Sequence, residues 1–408
     1  MHDERVLAER LIRYDTSRPA GLRAAARFVR DWLESSEIEV DEREAHGLPV
    51  LIADVGARPG GRVVAPPCVV FHGHLDVVPG RPAQFEPVVD GDRLYGRGAY
   101  DMKGGLAAMM CAFKDAASQD EVTVRLVVVP DEESEDLDQR SSDAVVGWGL
   151  GGDFAITGEP TGLHVGVEAK GVLVMRIVVH GRAAHSSTPW LGDNAVLKAI
   201  DVFRQIGALP FSRESSEMFD RPSINLGRIA GGDALNMVPD ECTMWVDVRY
   251  LPGQEPQAIL DQVRGIADIE VERTFVHPPV SVARTDPFVG ALLRAVRTTT
   301  RGEAMSVGRD GASDAASFIK AGIPAVEFGP GGGGHHGPEE WVSLSSLATY
   351  RRALGDFVAL LPAALAGSSP ARTSRLAGAA GIAGAAGLAE TAGVTGDLRS
   401  ISGGRITS

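Results

Sequence analysis

The stretch "VVFHGHLDVVP", residues 69–79, ends an apolar run with His72, His74 and Asp76 at alternate positions. In an extended strand residues two apart share a face, so the three side chains leave the strand tip in one direction. Burying two imidazoles and a carboxylate there is costly unless something pairs with them, and a metal ion is one such partner. Four more stretches carry side chains of the same chemistry. "GRGAYDMKGG" sets Asp101 just ahead of a helix that begins near Lys103, where an aspartate can also act as a cap. "VVVPDEESED" presents Asp131, Glu132 and Glu133 after a strand, a pattern that alone reads as a solvated loop. "TGEPTG" puts Glu159 at another strand end, and "GGGGHHGPEEW" puts His335 and His336 after a glycine-rich turn. Singly each is weak evidence; together they offer the imidazole nitrogens and carboxylate oxygens of a candidate metal site.

The elements that must position these groups alternate between two periods. "RVLAERLIRY", "LRAAARFVRDWLE" and "GGLAAMMCAFKDAA" repeat their apolar positions at helical spacing. "PPCVVFHGH", "VTVRLVVVP" and "DFAITGEP" are short apolar runs, and each finishes in His, Asp or Glu. Such a pattern suggests an α/β sheet covered by helices on both faces, where ligands collect at the strand ends. From about Lys170 the texture changes to a small α+β unit. "GVLVMRIVVH", "SINLGRIAGG" and "ECTMWVDVRYL" read as strands; "DNAVLKAIDVFRQIGAL" and "EPQAILDQVRGIA" read as helices. The earlier style returns with a helix at "DPFVGALLRAVRTTT", a strand at "IPAVEFGP" and a last helix at "LSSLATYRRALGDFVALL". The simplest organisation is one large domain, 1–169 and 284–365, interrupted by a smaller one, 170–283. The Gly-, Ala- and Ser-rich tail, 366–408, has almost nothing large to bury and is expected to be disordered.

Composition narrows the class. A hydrophobic content of 44% and a charged content of 23% in 408 residues are those of an ordinary globular protein. A net charge of -14 argues against a nucleic-acid partner, which calls for a basic face. The three cysteines, Cys68, Cys111 and Cys242, form no CxxC pair, so a thiolate zinc site and a disulfide framework are both unsupported and a cytoplasmic location fits. The amphipathic N-terminus has no apolar signal region, and no run approaches the ~18 apolar residues of a membrane helix.

In order and spacing, "HGHLDVVP", "GRGAYDMKGG", the Glu132–Glu133 pair, "GEP", the interrupting domain and "HGPEEWV" resemble the di-zinc amidohydrolases and metallopeptidases. That family includes acetylornithine deacetylase, succinyl-diaminopimelate desuccinylase, aminoacylase and glutamate carboxypeptidase. The resemblance implies a mixed, mostly parallel sheet flanked by helices, with residues 170–283 as an inserted lid and dimerisation domain. It implies two divalent metal ions, zinc with cobalt as the alternative. His74 and Glu159 are implied as ligands of one, Glu133 and His336 as ligands of the other, and Asp101 as the bridge, followed by a cis peptide. Asp76 would accept a hydrogen bond from the His74 ring, and Glu132 would be the general base. His72 has no ligand role, and His335 rivals His336, with the spacing to Glu340 and Val342 favouring His336.

In the inserted domain "GRAAHSSTPWLGDNAV" is similar to the family's lid motif, which implies that His185 stabilises the oxyanion, often across a homodimer interface. "LNMVP" and "DVRYLPG" imply Asn236 and Arg249 as contacts to a small substrate carrying a carboxylate. Glycines 329 and 331–334 are expected to let backbone approach that substrate. Two departures stand out. "EESEDLDQRSS" stays acidic where relatives turn at glycine, and Ala315, Ala316 and Ser317 stand where succinyl-specific relatives carry an arginine, with Arg309 nearby. The implied activity is hydrolysis of an N-acyl amino acid by metal-bound hydroxide. A dipeptidase or glutamate-type carboxypeptidase is the alternative within the same chemistry, and a non-catalytic binding protein the alternative outside it.

Overall fold

The computed structural model describes residues 3–57, 65–134, 140–302 and 304–367. The tail lies outside them from residue 368 onward, as does the acidic stretch 135–139. The three apolar runs form strands Cys68–His74, Thr123–Val129 and Phe154–Thr157. Cys68–His74 lies between the other two and is parallel to both, so all three finish at one edge of the sheet. Beyond Thr123–Val129 the sheet continues antiparallel through Leu48–Gly56 and Asp41–Ala45. Beyond Phe154–Thr157 come Ala325–Glu327, parallel, and then Val165–Ala169, which also pairs with Val280–Ser281 and Ser306–Arg309. The result is a nine-stranded mixed sheet whose centre is parallel.

Alternation along these strands divides the core between two faces. Val69, Phe71, Leu126 and Val128 join helices Asp3–Ile12, Pro19–Glu34, Lys103–Asp115, Pro287–Thr300 and Leu344–Ala366 in one apolar cluster. Val70, Val127 and Val129 join Val145 and Phe318, from helices Ser141–Gly147 and Ala315–Lys320, in another. Each such side chain, fully buried, contributes about 1.5–3 kcal/mol relative to exposure. Helix Lys103–Asp115 is apolar nearly all round because it is covered all round, buried from Lys103 to Phe113. Its start must be glycine: a Cβ on Gly104 would stand 2.3 Å from the Ala99 carbonyl oxygen. The helix therefore begins flush against the loop that carries Asp101.

A second, four-stranded antiparallel sheet runs in the order Ser223–Gly231, Glu241–Tyr250, Gly171–His180, Ile269–His277. Helices Ala195–Ile206 and Pro256–Arg264 cover one face around Met175, Ile177, Met244 and Val246. Asn194 caps the first, its Oδ1 accepting from the amides of Val196 and Leu197. A third small sheet joins Gly332–Gly333 to Trp341–Ser343, Arg93–Tyr95 and Val88–Asp90. It draws the histidine loop, 334–340, towards the loop before Asp101. Both larger sheets belong to one compact unit that ends at Leu365.

Candidate metal centre

The shared strand edge gathers the predicted groups. His74 ends its strand with the ring fully buried. Its Nδ1 lies 3.0 Å from the Asp76 carbonyl oxygen and 3.4 Å from Asp76 Oδ1. A carbonyl only accepts, so Nδ1 carries a proton, and Nε2 is the ring nitrogen turned to the cluster. That Nε2 stands 3.2 Å from Asp101 Oδ1 and 3.7 Å from Glu159 Oε1. The expected contact between His74 and Asp76 is thus shared between carbonyl and carboxylate. The Asp76 carboxylate is occupied elsewhere, accepting from the amides of Glu132 at 3.2 Å and Glu133 at 2.7 Å.

The other oxygen of Asp101 faces a different set. Oδ2 lies 2.5 Å from His335 Nε2 and 3.4 Å from His336 Nε2, and His336 Nε2 is 2.8 Å from Glu133 Oε1. Two groups of metal-ligand type result, His74–Asp101–Glu159 and Asp101–His335–His336, each with its donor atoms within 4.8 Å of one another. Asp101 belongs to both. The peptide after it is cis, and its side chain turns to the histidines rather than capping the helix, whose N-cap is Met102. His335 and His336 are both brought to this carboxylate, so the rivalry between them ends with both at the site. His72 is in neither group; its Nε2 meets Ser142 Oγ at 2.8 Å and its ring meets Phe318 edge-on.

Electrostatics follow from crowding several carboxylates where little water reaches. Burial, reinforced by the charges of Asp314, Asp101 and Glu133, pushes Glu132 well above the usual carboxylate range despite His74 nearby. Burial and the Asp101 charge do the same to Glu159. Burial would also raise Asp101, but hydrogen bonds from His335, His336 and His74 hold it well below that range. Hydrogen bonds to Asp101 and Glu133 lift His336 to about 10. Each oxygen of Asp101 is therefore shared with imidazole on one side while further carboxylates stand alongside. That donor chemistry fits two divalent cations, which neutralise clustered carboxylates more fully than protonated histidines do.

Two supports escaped sequence reasoning. Glu340, only 2% exposed, accepts from the amides of Gly98, Tyr100 and Asp101 at 2.9–3.0 Å and from Arg97 Nη1 at 2.7 Å. It fixes the backbone that aims Asp101. Arg140 donates to the carbonyls of Asp131 and Glu132, while Asp131, pushed up to about 6 by burial, accepts from Ser141. This clamps the turn carrying Glu132 and Glu133. The signals were a glutamate four residues after His336 and an arginine before two serines at a helix start, neither specific by itself. The glycine run also differs from expectation. A Cβ on Gly329 would meet the Glu159 carbonyl oxygen at 2.3 Å, so that glycine admits protein backbone and seats Glu159.

A cavity of about 330 Å³ opens over the centre, lined by Asp101, Glu132, Glu159 and His336 on one side and by Arg249 and Phe275 on the other. Arg249 rests on Asp247, with Nε at 3.0 Å and Nη2 at 3.0 Å from its oxygens. His185 and Asn236 do not line this cavity. They lie together instead: the Asn236 carbonyl accepts from the Ser186 amide at 3.0 Å, and His185 Nδ1 sits 2.8 Å from Ser187 Oγ, both residues exposed. A larger open cavity of about 600 Å³ beside Lys170, Phe219 and Asp310 contains neither ligand group.

Comparison with known proteins bears on the sequence and on the fold. The chain is 30% identical to the succinyl-diaminopimelate desuccinylase of Gluconacetobacter diazotrophicus over 303 residues, 69% of this chain and 78% of that one. Its fold is similar to that of aminopeptidase PepT from Bacillus cereus, with a TM-score of 0.72 and 21% identity over 87% of this chain and 97% of that one. It is also similar in fold to the YXEP protein of Bacillus subtilis, a dinuclear metal binding peptidase, with a TM-score of 0.61 and 18% identity over 88% and 99% of the two chains. The family description that matches residues 70–360 covers more than half of the sequence: the chain belongs to peptidase family M20/M25/M40.

Proposed function

We propose that this chain hydrolyses the amide bond of an N-acyl amino acid, releasing a carboxylate and the free amine. The observation that carries the reading is Asp101, whose two oxygens face two separate imidazole and carboxylate groups at the floor of one cavity. His74, Glu159 and one oxygen of Asp101 would hold one cation; Glu133, His336 and the other oxygen would hold the second, with His335 within reach. Two divalent cations, zinc in this reading with cobalt the alternative, supply a lowered water pKa and a polarised amide carbonyl.

The residues of the chain divide the remaining work. Glu132 lines the cavity, and its carboxylate makes no hydrogen bond among the described residues, so it is free to exchange a proton. It takes the proton of the attacking water and delivers it to the leaving nitrogen, which an amide needs because its anion leaves poorly. Asp76 holds the Glu132 and Glu133 amides and so keeps the base and its neighbouring ligand in place. Arg249 offers its fork to the substrate carboxylate. His185 and Asn236, adjacent to each other and away from the cavity of their own chain, act at the site of a partner subunit, His185 donating to the developing oxyanion. Residues 170–283 then serve as lid and dimerisation unit. The substrate is a small molecule and the setting cytoplasmic: Cys68, Cys111 and Cys242 are free thiols, and no described helix is long and apolar enough to cross a membrane.

The reading is tested by Glu132→Gln. Cation content is expected to stay at the wild-type level while turnover of N-acyl amino acids falls about 10²–10⁴-fold. Retained turnover would show that another group is the base.

A further inference from the structure

His335 directly precedes His336, and neighbouring side chains ordinarily diverge. Here the backbone turns them the same way: Gly334 has φ 73° and His336 φ 56°, left-handed values that are uncommon outside glycine. The turn is pinned, since the Gly337 amide donates to the Gly334 carbonyl at 2.7 Å and Arg97 Nη2 donates to the His336 carbonyl at 3.1 Å. The two imidazoles meet edge-on with centroids 4.3 Å apart, and the Tyr100 ring stands edge-on to His335 at 6.0 Å. Both Nε2 atoms converge on one oxygen, Asp101 Oδ2, His335 from 2.5 Å and His336 from 3.4 Å.

Bonds of about 2.0–2.2 Å put two donors on one tetrahedral zinc roughly 3.3–3.6 Å apart. His336 already keeps that distance from Oδ2, and His335 reaches it by backing away about 1 Å. Nothing resists that step: half of the His335 side chain is exposed, and Asp101 is the only hydrogen-bond partner of its ring among the described residues. A histidine that merely braced Asp101 would be redundant, because Glu340 already holds the Asp101 amide at 3.0 Å. Glu133 joins the same group through His336, 2.8 Å away. The second group then offers Asp101, Glu133, His335 and His336, whereas the first offers only His74, Asp101 and Glu159. Four protein donors close a zinc site, and three leave one place open.

We propose that His335 is a fourth protein ligand of the second cation, which makes the centre unequal. One site is closed and holds two imidazoles; the other, at His74 and Glu159, keeps an open place. The closed site holds its cation more tightly, and its nitrogen donors favour zinc over manganese or magnesium. This inference rests on the two-cation reading above.

The experiment labels the histidine rings of the full chain with nitrogen-15 and loads it with cadmium-113, a spin-active substitute for zinc that splits the signal of every ring nitrogen bound to it. Three histidines, His74, His335 and His336, are expected to show the splitting, and two in His335→Ala, with folding checked by thermal melting. In a chelator titration of the zinc-loaded protein, the wild type should release its cations in two separate steps. His335→Ala should weaken the tighter step by more than the about 10–100-fold lost with a supporting residue. Splitting at only one or two histidines of the wild type, or a tighter step unchanged in folded His335→Ala, overturns the fourth ligand and leaves the two-cation reading standing. Cadmium that splits no histidine removes the two-cation reading, and this inference with it.

Discussion

The edge of the large sheet and the exposed end of the four-stranded sheet prepare their functional side chains in opposite ways. At the first, His74 and Asp101 are buried, and nearly every backbone group around them is spoken for: Asp76 holds the Glu132 and Glu133 amides, and Glu340 those of Gly98, Tyr100 and Asp101. At the second, His185 and Asn236 are exposed and touch only local partners. A cluster of like charges needs a rigid cradle, since every misplaced oxygen there is a desolvated group without a partner. A residue that meets the transition state from outside needs only the right address. In the proposed reading the contrast puts the cation-binding half of the site within one chain and leaves the oxyanion half to a second.

The largest effect that would break this contrast is the loss of turnover in Glu132→Gln described above. Next comes His185→Ala, expected to cost about 10²–10³-fold in kcat, the range for an oxyanion donor, with cation content unchanged. Mixing it with Glu132→Gln should regain activity if the histidine works across subunits; no recovery after proven subunit exchange would place the complete site in one chain. Glu340→Gln should weaken cation binding by about 10–100-fold, read by titration with a chelator, because it loosens the backbone that aims Asp101. An unchanged affinity would reduce Glu340 to a fold residue. The smallest effect concerns His277, which burial lowers to about 4. A histidine depressed in the folded state costs stability as the pH falls from its unfolded value near 6.5 towards 4. In His277→Gln the slope of stability against pH in that window should be shallower by up to about 1.4 kcal/mol per pH unit. Identical slopes would show that His277 does not remain neutral when folded.

The same contrast explains what was legible in the sequence. The central strands end in His, Asp or Glu after apolar runs, so both the parallel sheet and its ligand edge could be read from residues 68–76, 123–133 and 154–159. Strand Ile269–His277 was not read, because an edge strand with one face in water carries alternating charges in "IEVERT" and looks like a loop. Hairpin Asp41–Ala45 with Leu48–Gly56 escaped for a similar reason, its outer strand being nearly all charged. The ligand-type residues were visible as motifs, but spacing could not show that His335 as well as His336 reaches Asp101. Neither could it show that Glu340 is an anchor, since that role depends on three amides some 240 positions earlier in the chain.

Cation stoichiometry is decided by elemental analysis of the purified, chelator-stripped and reloaded protein beside Asp101→Asn. Two divalent ions per chain in the wild type and a marked loss in the variant are expected, since one carboxylate serves both groups. A wild-type chain that binds no divalent ion, or an Asp101→Asn chain that still binds two with unchanged affinity, would contradict the bridged centre.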